Sequence, residues 1–241
     1  MPLRIGVDMD GTLADFESAF HAVEVRLFGR DSHIEAGQPE RESEEPPIVV
    51  GESPAPTVVR QGKKRSLVQG RRRRDQIWDE IRKTPNFWNT LKPLDPRAVR
   101  RVYELTLEHK WEVFFITQRP YTEGETVQRQ TQRWLADQGF DMPSVLVIGG
   151  SRGAAAAALR LDYHVDDSPQ NCLDVGSESG AKPILLVPDN NEATITQARK
   201  LKIGTAPSIA AALDVLDKAT LARTQPTILD RIAAIVGWSE R

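Results

Sequence analysis

Two aspartates one residue apart, Asp8 and Asp10, close the apolar run Leu3-Arg4-Ile5-Gly6-Val7 and are followed at once by Gly11-Thr12. Carboxylates are costly inside a buried strand. The pair is therefore expected at the C-terminal lip of a short strand, where open α/β sheets bind their ligands. Side chains two apart along a strand share a face, and Gly11 lets backbone amides come close to a ligand. Two carboxylates held together repel until a cation or a shared proton relieves them. An all-oxygen donor set suits a hard cation such as Mg²⁺. Alone, Asp-x-Asp-Gly is equally readable as an acidic turn.

The rest of the chain separates these readings. Three more apolar runs end in polar residues: Val113–Ile116 leads into Thr117-Gln118-Arg119-Pro120, Val145–Ile148 into Gly149-Gly150-Ser151-Arg152-Gly153, and Tyr163–Val165 into Asp166-Asp167-Ser168. In a parallel sheet all of these ends lie on the edge that carries Asp8 and Asp10. That edge then gathers four carboxylates, a threonine hydroxyl, helix-start amides and an arginine. The hydroxyl, amides and guanidinium make an anion cradle. With a cation among the carboxylates, the set suits metal-assisted phosphoryl transfer through a carboxylate nucleophile.

The elements that must position these groups alternate. Residues 13–28 place Phe16, Phe20, Val23 and Leu27 on one helical face, stopped by Gly29. From Pro93 onward, helices over 96–109, 122–138, 153–161, 168 onward, 192–201 and 208–217 alternate with strands over 112–117, 145–148, 163–165, 184–187 and 202–205. Ser168 is placed to cap its helix, with Pro169 at the first position. Such alternation predicts a doubly wound parallel sheet. Between these parts, residues 31–74 carry five prolines, an acidic cluster at 40–45 and a basic run ending in Arg71–Arg74. A charged insertion without fixed structure is expected over about 35–70. A helix is expected from 75 to about Lys83. It is followed by Phe87 and Trp88, which with Trp78 either pack a small subdomain or form a wall for a flat ring. From Thr224 the tail has the spacing of one more amphipathic helix.

The 241 residues suffice for one sizeable core. A net charge of −2 gives no general attraction to nucleic acid or anionic lipid, and no apolar run reaches a membrane span. The single cysteine, Cys172, excludes an internal disulfide and a multi-cysteine zinc site, and a cytoplasmic location is expected.

The ordered set Asp8-Met9-Asp10-Gly11-Thr12, Thr117, Arg152 and Asp166-Asp167 resembles the four motifs of the haloacid dehalogenase-like phosphatases. Val7 to Glu17, Pro85-Asn86-Phe87-Trp88, Leu91-Lys92-Pro93-Leu94 and Arg133-Trp134-Leu135 resemble the 5′(3′)-deoxyribonucleotidase branch. The resemblance spans roughly residues 3–30 and 75–190. It implies a Rossmann-like core over 1–14 and 91–220, a small helical cap over 15–90 inserted after the first strand, and a C-terminal tail over 221–241. It implies Asp8 as nucleophile and Asp10 as acid and base. Mg²⁺ would be held by Asp8, the Asp10 carbonyl and Asp166, with Asp167 beside it. Thr117 and Arg152 would bind phosphate, and Phe16, Trp78, Phe87 and Trp88 would close over the leaving group. Arg152 stands where the family usually has lysine, and Gln118 where a small residue is usual. The expected activity is hydrolysis of a small phosphate monoester, foremost a deoxynucleoside monophosphate. A weakly active regulatory module and a nucleic-acid end phosphatase guided by Arg71–Arg74 are the alternatives.

Overall fold

The computed structural model describes residues 2–29 and 60–224. Strand β1 (Arg4–Asp8) is followed by helix α1 (Phe16–Phe28), helix α2 (Arg60–Lys83) and a short 3-10 turn (Phe87–Asn89). The remainder alternates: α3 (Ala98–His109), β2 (Glu112–Thr117), α4 (Val127–Asp137), β3 (Ser144–Val147), α5 (Arg152–Leu159), β4 (Tyr163–Asp166), α6 (Pro169–Glu178), β5 (Lys182–Leu186), α7 (Glu192–Lys200), β6 (Gly204–Ala206) and α8 (Ile209–Thr224).

The six strands form one parallel sheet in the order β3-β2-β1-β4-β5-β6. The chain moves outward from β1 to β3, then returns to the other side at β4. The order thus reverses between β1 and β4, and the crevice for a ligand lies outside their carboxyl ends. Asp8 pairs in register with Ile116, one residue before Thr117, and Val7 with Val165, one residue before Asp166. Both faces of the sheet are covered, which is why the strands read as unbroken apolar runs. Phe115 packs with Val99, Val102, Trp134 and Leu213 on one face. Phe114 and Ile116 point to the other, against Ala156 and Val175.

Local chemistry sets the element ends. Asp15 accepts from the Ser18 N–H to start α1, and Gly29, at φ 85°, ends it. Ser168 caps α6 with Pro169 at its first position. Helix α4 starts at Val127 rather than near Thr122, because the Thr126 hydroxyl takes the cap position while Thr122 is buried against Gln130.

The larger difference is α2. It runs back to Arg60, so residues 60–70 are helical rather than part of an unstructured insertion. From Arg60 to Thr84 the sequence holds no proline and is rich in Arg, Lys and Gln, all good helix formers. Ile77, Trp78 and Ile81 bury the end of this helix, and Arg26 of α1 pairs with its Glu80 at 2.9 Å. The rest of the expected insertion, 35–59, lies outside the described residues, as does the helix expected beyond 224. Residues 221–224, expected to open the tail, belong to α8.

Candidate active site

Asp8 ends β1 and is 5% exposed. Arg152, the first residue of α5, is held in place by the Ser151 cap and donates from Nη2 to Asp8 Oδ1 at 2.5 Å. Burial, and next the charge of Asp166, push the Asp8 carboxyl well above its ordinary range, while Arg152 pulls the other way.

Asp166 is fully buried and well supported. Its Oδ1 accepts from the Ser168 N–H at 2.9 Å and from Asn171 Nδ2 at 3.1 Å. Its Oδ2 accepts from Asn171 Nδ2 at 3.1 Å and from His164 Nε2 at 2.9 Å. Arg152 Nε lies 3.6 Å from the same oxygen. Asp167 accepts from the Thr12 hydroxyl at 3.4 Å. Burial and the neighbouring Asp166 push its carboxyl up to about 7. Gly11 makes this approach possible. It sits at φ +82°, and a Cβ there would lie 2.1 Å from Asp167 Oδ2.

Oxygens of Asp8, Asp166 and Asp167 lie within 4.8 Å of one another. Hard oxygen donors in a set whose burial leaves negative charge under-compensated fit a divalent cation such as Mg²⁺. These three residues would hold it. The Asp10 carboxylate is not part of this group.

Asp10 instead meets a residue given no role by its type or spacing. Arg119 donates from Nε to Oδ1 at 3.1 Å and to Oδ2 at 2.9 Å, and from Nη2 to Oδ1 at 2.7 Å. The Thr117 hydroxyl donates to Asp10 Oδ2 at 3.4 Å. Arg119 is 5% exposed, and its guanidinium lies 4.8 Å from the centre of the Trp88 ring. His164 and Asn171, which orient Asp166, also lay unassigned in the sequence. Their only signals are places two before and five after Asp166.

A cavity of about 630 Å³ opens over these groups, lined by Asp8, Asp10, Thr117, Arg119, Arg152 and Asp167, with Phe16, Trp78 and Trp88 among its walls. Phe16 stacks on Trp78 with ring centres 5.4 Å apart and lies 5.6 Å from Trp88. The Trp88 indole N–H donates to the Pro120 carbonyl at 3.1 Å and so ties the turn to the loop after β2. Of the four expected cap aromatics, Phe87 stands apart. It is buried edge-to-face against Trp88 and lines a second cavity, on the outer side of α1.

No family model matches the sequence, and a comparison with curated proteins finds no match. Solved structures do match. A phosphonoacetaldehyde hydrolase-like protein from Oleispira antarctica is 16% identical with a TM-score of 0.53, over 93% of this chain and 95% of that one. A structure described as that of a beta-phosphoglucomutase from Thermotoga maritima is 16% identical with a TM-score of 0.50, over 90% and 99%. Neither description is of a nucleotidase, so the likeness is one of fold and lends no support to that branch. With the sheet order and the helices on both its faces, the chain has the haloacid dehalogenase-like fold.

Proposed function

We propose that the chain is a metal-dependent phosphomonoesterase that works through an aspartyl-phosphate on Asp8. The observation that carries this reading is Arg152. It is 3% exposed and lines the cavity beside Asp8, yet its Nε and Nη1 are buried with no hydrogen-bond partner among the described residues. Leaving guanidinium nitrogens unpaired in a buried site is costly. A phosphate oxygen would satisfy Nη1 next to the attacking carboxylate, while Nε faces Asp166 at 3.6 Å.

In this reading the Asp8 oxygen attacks phosphorus, and the ester oxygen leaves with a proton from Asp10. Asp10 then takes a proton from the water that splits the aspartyl-phosphate. Thr117 and Arg152 hold the phosphoryl oxygens. A cation held by Asp8, Asp166 and Asp167 would offset the charge gathered there. The leaving group would lie against Phe16, Trp78 and Trp88. Three aromatic walls above a phosphate cradle favour a nucleoside monophosphate over a compact sugar phosphate. The basic run is a weaker guide to nucleic acid, since Arg73 is engaged over the Phe28 ring at 5.1 Å.

The test is phosphate release by the purified chain with Mg²⁺, from an aryl phosphate and a panel of nucleoside monophosphates. Activity abolished by Asp8→Asn is expected; an Asp8→Asn protein as fast as its parent sinks the mechanism.

A further inference from the structure

We propose that Arg119 is a positioning residue for Asp10, and that losing it slows esters with poor leaving groups far more than esters with good ones. The inference rests on the phosphomonoesterase reading above and assigns a role that reading does not need.

The geometry separates the two arginines that line the cavity. Arg152 keeps two nitrogens without a hydrogen-bond partner among the described residues. Arg119 has none to spare. Its Nε and Nη2 both face the Asp10 carboxylate, and its Nη1 donates to the Thr131 hydroxyl at 2.9 Å. Thr131 is itself fixed on α4, donating to the Val127 carbonyl at 2.8 Å. The guanidinium face is covered by the Trp88 ring. Each nitrogen of Arg119 thus already has a partner within the protein, and one face of the guanidinium is covered.

What the clamp does is hold one rotamer of Asp10. A carboxylate on a single methylene turns about two torsions, and proton transfer needs it within hydrogen-bond reach of the ester oxygen. Two donors from one planar fork remove that freedom. Of the two oxygens, Oδ1 takes two Arg119 contacts. Oδ2 takes one, plus the long Thr117 hydrogen bond, so both oxygens are held.

In the first step the Asp8–phosphorus bond forms and the phosphorus–ester oxygen bond breaks. The electron pair passes to the ester oxygen, which takes the proton from Asp10. In the second, water attacks phosphorus, its proton returns to Asp10, and the phosphorus–Asp8 bond breaks to free phosphate. A nitrophenolate departs without much help from a proton, whereas an alkoxide does not. General acid catalysis of this kind is worth about 10²–10⁴-fold. Misplacing Asp10 should therefore slow transfer to Asp8 from the alkyl ester far more than from the aryl ester, whereas hydrolysis of the aspartyl-phosphate is common to both.

The experiment compares p-nitrophenyl phosphate with an alkyl phosphate (a nucleoside 5′-monophosphate) in the full chain and in Arg119→Met and Arg119→Lys. We expect kcat/KM on the alkyl ester, which reports the steps up to departure of the alcohol, to fall at least about 10²-fold in Arg119→Met, with kcat/KM on the aryl ester within about tenfold. Lysine, a point donor without the fork, should recover little of the loss. Thr131→Val, which keeps Arg119 but frees its Nη1, gives a smaller loss in the same direction and covers the case in which the buried Arg119 variants do not fold. Equal losses of kcat/KM on both esters, or full rescue by lysine, would overturn the proposal. A parent with no phosphatase activity on either ester would instead fail the underlying reading.

Discussion

Replacing Asp167 with asparagine should stabilise the metal-free protein above neutral pH while removing most of its response to Mg²⁺. The Asp167 carboxyl is raised from 3.8 to about 7, first by burial and then by the charge of Asp166. The folded chain therefore holds this proton more tightly than the unfolded chain does. Between about pH 4 and pH 7 the native state binds more protons, so metal-free stability falls as pH rises through that window and levels off above it. About three units at 1.36 kcal/mol each set a ceiling of about 4 kcal/mol. Water reaches part of this side chain, and halving the figure leaves about 2 kcal/mol. For a chain of this size that is about 4–8 °C in Tm. Asparagine keeps the shape and an oxygen for Thr12 but does not ionise. Thermal unfolding from pH 5 to pH 8, in chelator and in Mg²⁺, reads all of this out. At pH 8 in chelator the variant should melt higher than the parent, and at pH 5 the gap should be under half as large. Asp8, also raised by burial, leaves the variant a residual slope. Saturating Mg²⁺ should lift the parent's Tm at pH 8 and lift the variant's far less. An undiminished pH slope in Asp167→Asn, or equal stabilisation of both proteins by Mg²⁺, would refute the reasoning.

The same geometry bears on variants at three further positions. Gly11→Ala should cost about 1–2 kcal/mol, because it strains a left-handed position, and should weaken Mg²⁺ binding by pushing Asp167 away; both can be read from one thermal melt with and without metal. Arg152→Met should raise KM for phosphate esters at least about tenfold, as removal of a charged hydrogen-bond partner predicts, while Arg152→Lys should recover part of the loss in steady-state kinetics. Trp78→Leu should raise KM about tenfold for nucleoside monophosphates and leave a ring-free phosphate ester unchanged, as loss of one stacking surface predicts.

How much of this was legible in the sequence depended on whether a signal was local. Apolar runs such as Val113–Ile116 and Val145–Ile148 gave the strands, since burial on both sheet faces leaves no room for polar residues. The ends of those runs pointed to the acidic edge because parallel strands place their carboxyl ends together. The helix cap at Ser168 lies within three residues of the amide it binds, and it marked the start of its helix. What escaped was long-range. Arg119 comes just after a strand end, where an arginine ordinarily faces solvent. Only the fold brings Asp10, Thr131 and Trp88 around it. His164 sat in an apolar run as one more strand residue, and its contact with Asp166 depends on both being buried. Helix α2 was cut short because charge blocks read as loop, while the lack of proline lets it run back to Arg60 and Arg73 packs it over Phe28 of α1. Phe87 and Trp88 are neighbours with the same hydrophobic signal, yet the turn that holds them sends one ring to the cavity and the other to a separate one.

The central claim is that Asp8 carries the phosphoryl group. It is tested most directly by quenching the protein in acid during turnover of a phosphate ester with Mg²⁺, reducing with borohydride, and sequencing the peptides by mass spectrometry. An acyl phosphate is reduced to the corresponding alcohol, so position 8 should become homoserine in the parent incubated with substrate, and not in its absence. Steady turnover with position 8 unmodified, or with the modification at another carboxylate, would contradict the account.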